Sequence, residues 1–219
     1  MKKLEKASSW WSISLNTDVE IETLSYYLDK LYDQLQYMAA DFSEWLYSHI
    51  QRMKDDKERG EFYKRYGLEH WYRSTVFPKL FLNSFHISAY SLLETQTFEI
   101  ARRIGKKQKQ PFDVSEIKGS NYLESAINYI KKLTGINARR VSCWNGLAEG
   151  QRLRNVIVHS NGKPTKENDI QLARKYGVYD EQGKRVKVTY EYCKVFIDLL
   201  KTFFGEIYKE IEAGNLLDY

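Results

Sequence analysis

Apolar side chains recur at three- and four-residue steps early in the chain: Ile21, Leu24, Leu28, Leu31, Leu35, Met38, Phe42 and Trp45. That spacing lines one face of a long helix, with the alternating step of a bundle seam. Thr17-Asp18-Val19-Glu20 reads as a capping box, so the helix is expected to start there and run to about Arg59-Gly60. His49 falls next on the same stripe and reads as a hydrogen-bonded core residue. Residues 61–71 read as a charged and aromatic connector.

Residues 80–104, LFLNSFHISAYSLLETQTFEIARRI, predict a second long helix, with Pro78 where a first turn tolerates it. Ser84, Ser88, Ala89 and Ser91 are small enough to let a neighbouring helix come close. Glu94 lies in this apolar stretch and must be paired or solvated. GKKQKQPFD, residues 105–113, predicts a basic loop, and 122–133 a shorter helix closed by Gly135. Residues 139–160 predict another helix, stopped by Asn161-Gly162 and Pro164. GVYDEQGKRVKV predicts a small hairpin turning at EQGK, and 189–212 a final amphipathic helix. The expected fold is all-α, a bundle of four to five main helices with a small β-hairpin insertion. No linker divides residues 1–219, so one domain is expected, with its core at about 18–212.

Composition narrows the class. At 219 residues the chain is long enough to bury a core without disulfide or metal staples. Its formal charge of +5 is compatible with a nucleic-acid partner without requiring one. Aromatic residues make up 15% of the chain and 17 of them are Tyr, which serve cores, interfaces and base stacking alike. Cys143 and Cys193 form no metal-binding pattern and are expected as buried thiols. MKKLEKASSWWSISLNTD holds no sustained apolar run, so no signal peptide is read. No stretch approaches the ~20 apolar residues of a membrane span, and a cytoplasmic protein is expected.

The candidate chemistry sits in RLRNVIVHSNGKP, residues 152–164. Asn155 and His159 are four apart and share a helix face, while Arg154 lies ~100° round from Asn155. His159 falls in the last turn, where the helix C-terminus favours an imidazolium. A histidine there suits proton transfer at phosphate, Arg154 offers a positive fork, and the Asn155 amide can orient either neighbour. With no acidic cluster or metal-ligand set beside it, this trio fits metal-free RNA cleavage by the ribose 2′-OH. Taken alone, an Arg and a His five apart also fit a structural helix end. His70 and His86 have no metal-like spacing partner.

The order of elements resembles the HEPN superfamily: two long helices, a shorter helical part, a helix ending in R-N-x-x-x-H, a Gly/Pro break and a closing helix. The resemblance covers roughly residues 18–212, and its best-matching words are SLLETQ and LRNVIVHSNGKP. It implies that Arg154 and His159 are the catalytic pair of a metal-independent endoribonuclease, with Asn155 in support and Glu94 a polar partner from the second helix. It implies a homodimer whose two motifs share one cleft, an RNA substrate, no cofactor or metal, and a role as toxin or antiviral effector with an inhibitor or antitoxin partner. One branch of the family carries a Tyr two residues after the His; here that position is Asn161. Some members are inactive modules for dimerisation or for binding RNA, nucleotide or protein, and that alternative stays open. Arg139, Arg140 and Lys163 are candidate RNA-backbone contacts, with solvated surface charge the competing reading.

Overall fold

The computed structural model describes residues 8–116, 119, 121–214 and 216, and their side chains from residue 14 onward. Residues 1–7, part of the stretch read for a signal peptide, lie outside the described residues. The expected all-α bundle with one small hairpin is found. Its elements are α1 Ser8–Arg52, α2 Asp56–Trp71, a π-helical turn Tyr72–Val76, α3 Phe77–Lys107, α4 Tyr122–Thr134, α5 Trp144–Ser160, α6 Glu167–Lys175, β1 Tyr179–Asp180, β2 Arg185–Val186 and α7 Tyr190–Ala213. None of the described helices is long and apolar enough to cross a membrane.

Helix α1 runs antiparallel to α7. Thr17 meets Tyr208 (2.6 Å), Glu22 meets Lys201 (2.7 Å), Asp29 meets Lys194 (3.0 Å), and the Tyr32 ring stacks on Tyr190 with centroids 4.6 Å apart. Thr17 therefore does not cap the helix, which already runs from Ser8. Its hydroxyl is buried, donating to Gln96 Oε1 at 3.1 Å while accepting from Tyr208. The S/T-x-x-E pattern reads the same when the hydroxyl bonds across to other helices as when it caps its own.

Tyr190 is the first residue of α7, so α1 beyond Tyr32 runs past the bundle's closing helix. There its partners are α2 and the π turn, and α2 contains no buried residue. The apolar stripe thus divides in two. Ile21 and Leu28 are buried in the bundle and Leu31 is exposed at its edge, whereas Met38 and Trp45 stay exposed along a two-helix arm on which α1 buries Leu46. Aromatic contacts hold the arm: Trp45 touches Phe62 (5.7 Å), Tyr66 (5.1 Å) and His49 (4.6 Å). His49 bonds the Trp45 carbonyl at 2.8 Å, so it is hydrogen-bonded as expected, but on the arm rather than in the core. The connector expected at 61–71 is helical, because α1 ends at Arg52 and Asp55 caps a new helix by accepting from the Lys57 amide.

The π turn joins α2 to α3 without a break in the chain's helical course. Pro78, buried in the first turn of α3, has no N–H to return to the preceding turn. The ladder slips by one residue there, and the Phe77 amide bonds the Tyr72 carbonyl. Of the small residues of α3, Ala89 is buried but Ser84 and Ser88 face outward. Close helix approach occurs elsewhere, at Gly146 and Gly150 of α5 against α7.

The core lies where α3, α4, α5 and α7 meet α1. Phe196, Phe203, Phe204, Leu93, Ile100 and Ile130 are fully or almost fully buried; each such side chain contributes about 1.5–3 kcal/mol. Cys143 and Cys193 are buried thiols, and burial pushes Cys143 up to about 11. Helix α5 begins later than expected. Residues Ala138–Arg140 form a 3-10 turn capped by Asn137, and Val141, at φ −57° and ψ 136°, breaks the helical course before Trp144. Helix α6 was not foreseen. It is pinned to α5 by Arg152 to Asp169 (2.7 Å) and by Lys175 and Tyr176 to Glu149. The hairpin pairs Tyr179 with Val186 and Asp180 with Arg185, turning at EQGK as expected.

Candidate functional site

Helix α5 carries the motif and is gripped from two sides. A Cβ on Gly150 would stand 2.5 Å from the Phe196 ring of α7, so only glycine fits that approach. On its other side the Gly150 carbonyl accepts from His86 Nε2 of α3 at 3.1 Å. The helix ends where expected. Asn161 (φ 49°) and Gly162 (φ 76°) are both left-handed, and the Gly162 amide returns to the Val156 carbonyl at 3.0 Å. The Gly162 carbonyl then accepts from the Val186 amide at 2.7 Å, tying the stop to the hairpin.

The trio divides between two environments. His159 is exposed, and with Asn155, Arg152, Ser160, Lys166 and Asp169 it lines a cavity of about 320 Å³ between α5 and α6. Arg154 is not among the residues lining that cavity. Its Nη1 donates to Asn155 Oδ1 at 3.2 Å, while its Nε is buried without a partner among the described residues. Asn155 is thus the link: its carbonyl oxygen accepts from Arg154, and the residue lines the cavity that holds His159.

Arg154 lies beside a polar row on α3. Burial raises the Glu94 carboxyl, and the Arg154 charge partly counters the rise. Burial, and then the Glu94 charge, push the Tyr90 phenol up, and its hydroxyl has no partner among the described residues. Burial drives His86 down to about 4; its bond to Gly150 opposes this and Arg154 adds to it. His86 donates from Nε2 in that bond, so Nδ1 is an acceptor, and it too is unpartnered among the described residues. The expected contact between Glu94 and Arg154 is electrostatic, with no hydrogen bond joining them among the described residues.

His86 and Tyr90 were not read as site residues, yet His86, Tyr90 and Glu94 step by four along α3 and so share a face. That spacing was the available signal. Of the candidate RNA contacts, Lys163 is exposed just past the helix stop, its amide bonding Ser160 at 2.9 Å. Arg139 and Arg140 lie before the first residue of α5, ~20 Å or more along the helix from His159. Arg139 is held by Glu124 and by Asn128 (3.1 Å), and Arg140 lines a separate cavity beside Glu206 and Glu210. The structure therefore does not bring these two arginines to the motif. No group of three or more His, Cys, Asp or Glu able to hold a metal ion occurs among the described residues.

No family model matches the chain, and no curated protein or solved structure shows significant similarity to it.

Proposed function

We propose that the chain is a metal-independent endoribonuclease that cleaves RNA by 2′-OH attack and acts as a toxin or antiviral effector. The observation that carries this reading is the placement of His159 with Asn155 in one open cavity, while Asn155 accepts from Arg154. In the proposed step the ribose 2′-oxygen forms a bond to the adjacent phosphorus and the P–O5′ bond breaks. The products are a 2′,3′-cyclic phosphate and a 5′-hydroxyl. His159 moves the proton between the attacking and leaving oxygens, and Arg154 offsets the charge on the phosphorane. Asn155 positions Arg154. The resemblance to the HEPN superfamily supplies the rest of the proposal: two copies face each other, so the partner's Arg154 and His159 share the cleft, and an inhibitor or antitoxin restrains the activity in the cytoplasm.

The test is cleavage of total RNA in EDTA by the wild type and by His159→Ala, with analysis of the product ends. Cyclic phosphate ends from the wild type and none from the variant are the expected result. Cleavage that persists in the variant overturns the assignment.

A second reading draws on Arg154 itself. Its Nε is buried and its side chain is absent from the wall of the His159 cavity, as suits a structural arginine in a non-catalytic binding module. That reading expects RNA or protein binding with no cleavage by either protein.

A further inference from the structure

A larger cavity, about 560 Å³, is lined by Glu94 and its neighbours on α3 and by Tyr122 at the start of α4. Its size is that of a pocket for a small organic group. One wall is aromatic: the Tyr122 ring meets Phe98 edge-on at 5.9 Å and is 70% exposed, leaving a face free to stack. Most polar groups around it are already engaged. Ser91 donates to the Ile87 carbonyl, Gln96 bonds both Thr17 and Glu20, and Glu99 is paired with Arg102 and Arg103. Two remain on α3. Glu94 and Thr95 both line the cavity, and neither side chain is hydrogen-bonded among the described residues; the Tyr122 hydroxyl on α4 is also unbonded there.

On the α3 side this leaves two acceptor oxygens on one carboxylate and, on the next residue, a hydroxyl able to donate. Guanine presents the complement on its Watson–Crick edge, with adjacent N1–H and N2–H donors next to the O6 acceptor. Adenine offers an acceptor where N1–H would be needed. Uracil and cytosine each offer a single N–H donor position toward a carboxylate. Unpaired RNA bases are read in this way, splayed out onto an aromatic side chain and bonded along that edge. We infer that the cavity between Glu94, Thr95 and Tyr122 is a guanine pocket that selects an unpaired guanosine of the RNA substrate. Glu94 reads N1–H and N2–H, Thr95 donates to O6, Tyr122 stacks, and Arg102 at the rim stands near the adjoining phosphate. The inference rests on the nuclease reading for its ligand, but not for its geometry.

The experiment uses labelled 2′-O-methyl pentanucleotides, UUGUU and UUAUU, which lack the attacking hydroxyl and so report binding alone. The full chain should bind UUGUU about tenfold or more tighter than UUAUU, given one bidentate base contact. Glu94→Gln replaces one acceptor by a donor, which matches adenine, so its preference should reverse. Tyr122→Leu, at an exposed position, should weaken both oligonucleotides by about tenfold while keeping their order. Equal binding of the two by the wild type, or an unchanged preference in Glu94→Gln, overturns the pocket. GMP bound as tightly as UUGUU would move the site to a free nucleotide and overturn its assignment to RNA. Cleavage of unmodified RNA is scored separately. Cleavage without guanine preference removes the pocket and leaves the nuclease, and guanine-selective binding without cleavage does the reverse.

Discussion

Gly150 and Phe196 meet so closely that a Cβ on residue 150 would stand 2.5 Å from the ring. The contact sets the distance between α5 and α7, and with it the depth at which the motif helix sits. Gly150→Ala must push one helix away or force the buried ring off its rotamer. Overpacking of this kind costs about 1–3 kcal/mol. Thermal melting should show the loss, and a variant as stable as the wild type would mean that α5 and α7 are not held in this register.

His86 makes stability depend on pH. Its folded pKa of about 4 lies below the ordinary value of 6.5, chiefly because burial disfavours the imidazolium. The unfolded chain therefore takes up the proton first. The contribution is fully present above pH ~6.5 and is lost as pH falls toward 4, a span of about 3 kcal/mol. Glu94, raised by burial, acts in the opposite sense over its own titration. His86→Gln keeps a donor for the Gly150 carbonyl and does not titrate, so the difference between the two denaturation curves isolates the histidine. Parallel curves from pH 7 to 4 would refute the assignment.

Arg154 and His159 should separate stability from activity. His159 is exposed, so His159→Ala is expected to melt within ~0.5 kcal/mol of the wild type while losing cleavage. Arg154→Met removes a buried N–H that has no partner among the described residues. Leaving such a group unbonded costs about 1–3 kcal/mol, so Arg154→Met should be as stable as the wild type or more so, yet inactive. A strongly destabilised Arg154→Met with intact cleavage would reverse the roles proposed here.

Gly162 holds the end of the motif helix to the hairpin. Its φ of 76° and the Val186 carbonyl, 3.2 Å from where a Cβ would lie, both resist a side chain. Gly162→Ala should cost about 1–2 kcal/mol from the left-handed conformation alone. It should also speed exchange of the Val186 amide, which bonds the Gly162 carbonyl. Unchanged protection at Val186 would show that the anchor lies elsewhere.

These residues also mark what the sequence made legible. Helix α7 was expected at 189–212 and spans Tyr190–Ala213, because one strong apolar face decides it. The Asn161-Gly162 stop was readable because left-handed backbone restricts residue choice locally; in the EQGK turn the left-handed residue is Lys184, and Gly183 instead leaves room for Asp180, whose Oδ2 would stand 2.6 Å from a Cβ there. Helix α6 was not readable: Glu167–Lys175 is largely polar and is held by ion pairs to Arg152 and Glu149, which are distant in sequence. At the site, the four-residue spacing of Asn155 and His159 placed both on one cavity. The course of the Arg154 side chain was not encoded in that spacing. It follows from a row of polar groups on another helix, His86, Tyr90 and Glu94.

The arm should open independently of the bundle. Helix α2 has no buried residue, whereas α7 buries Phe196, Phe203 and Phe204 among others. Local opening is governed by such burial, so amides of α2 are expected to exchange by opening at lower free energy than those of α7. Exchange of both helices at one common rate would mean that arm and bundle unfold as a single unit.

The π turn at Tyr72–Val76 acts as an angular joint. Each residue of an α-helix advances the azimuth by ~100°, so one residue gained or lost in that turn rotates all of α2 by that amount relative to α3. Removing one would restore ordinary pitch and swing Phe62 and Tyr66 away from Trp45. The pairing of the arm therefore depends on a single residue of phase, and length changes there are far less tolerable than substitutions.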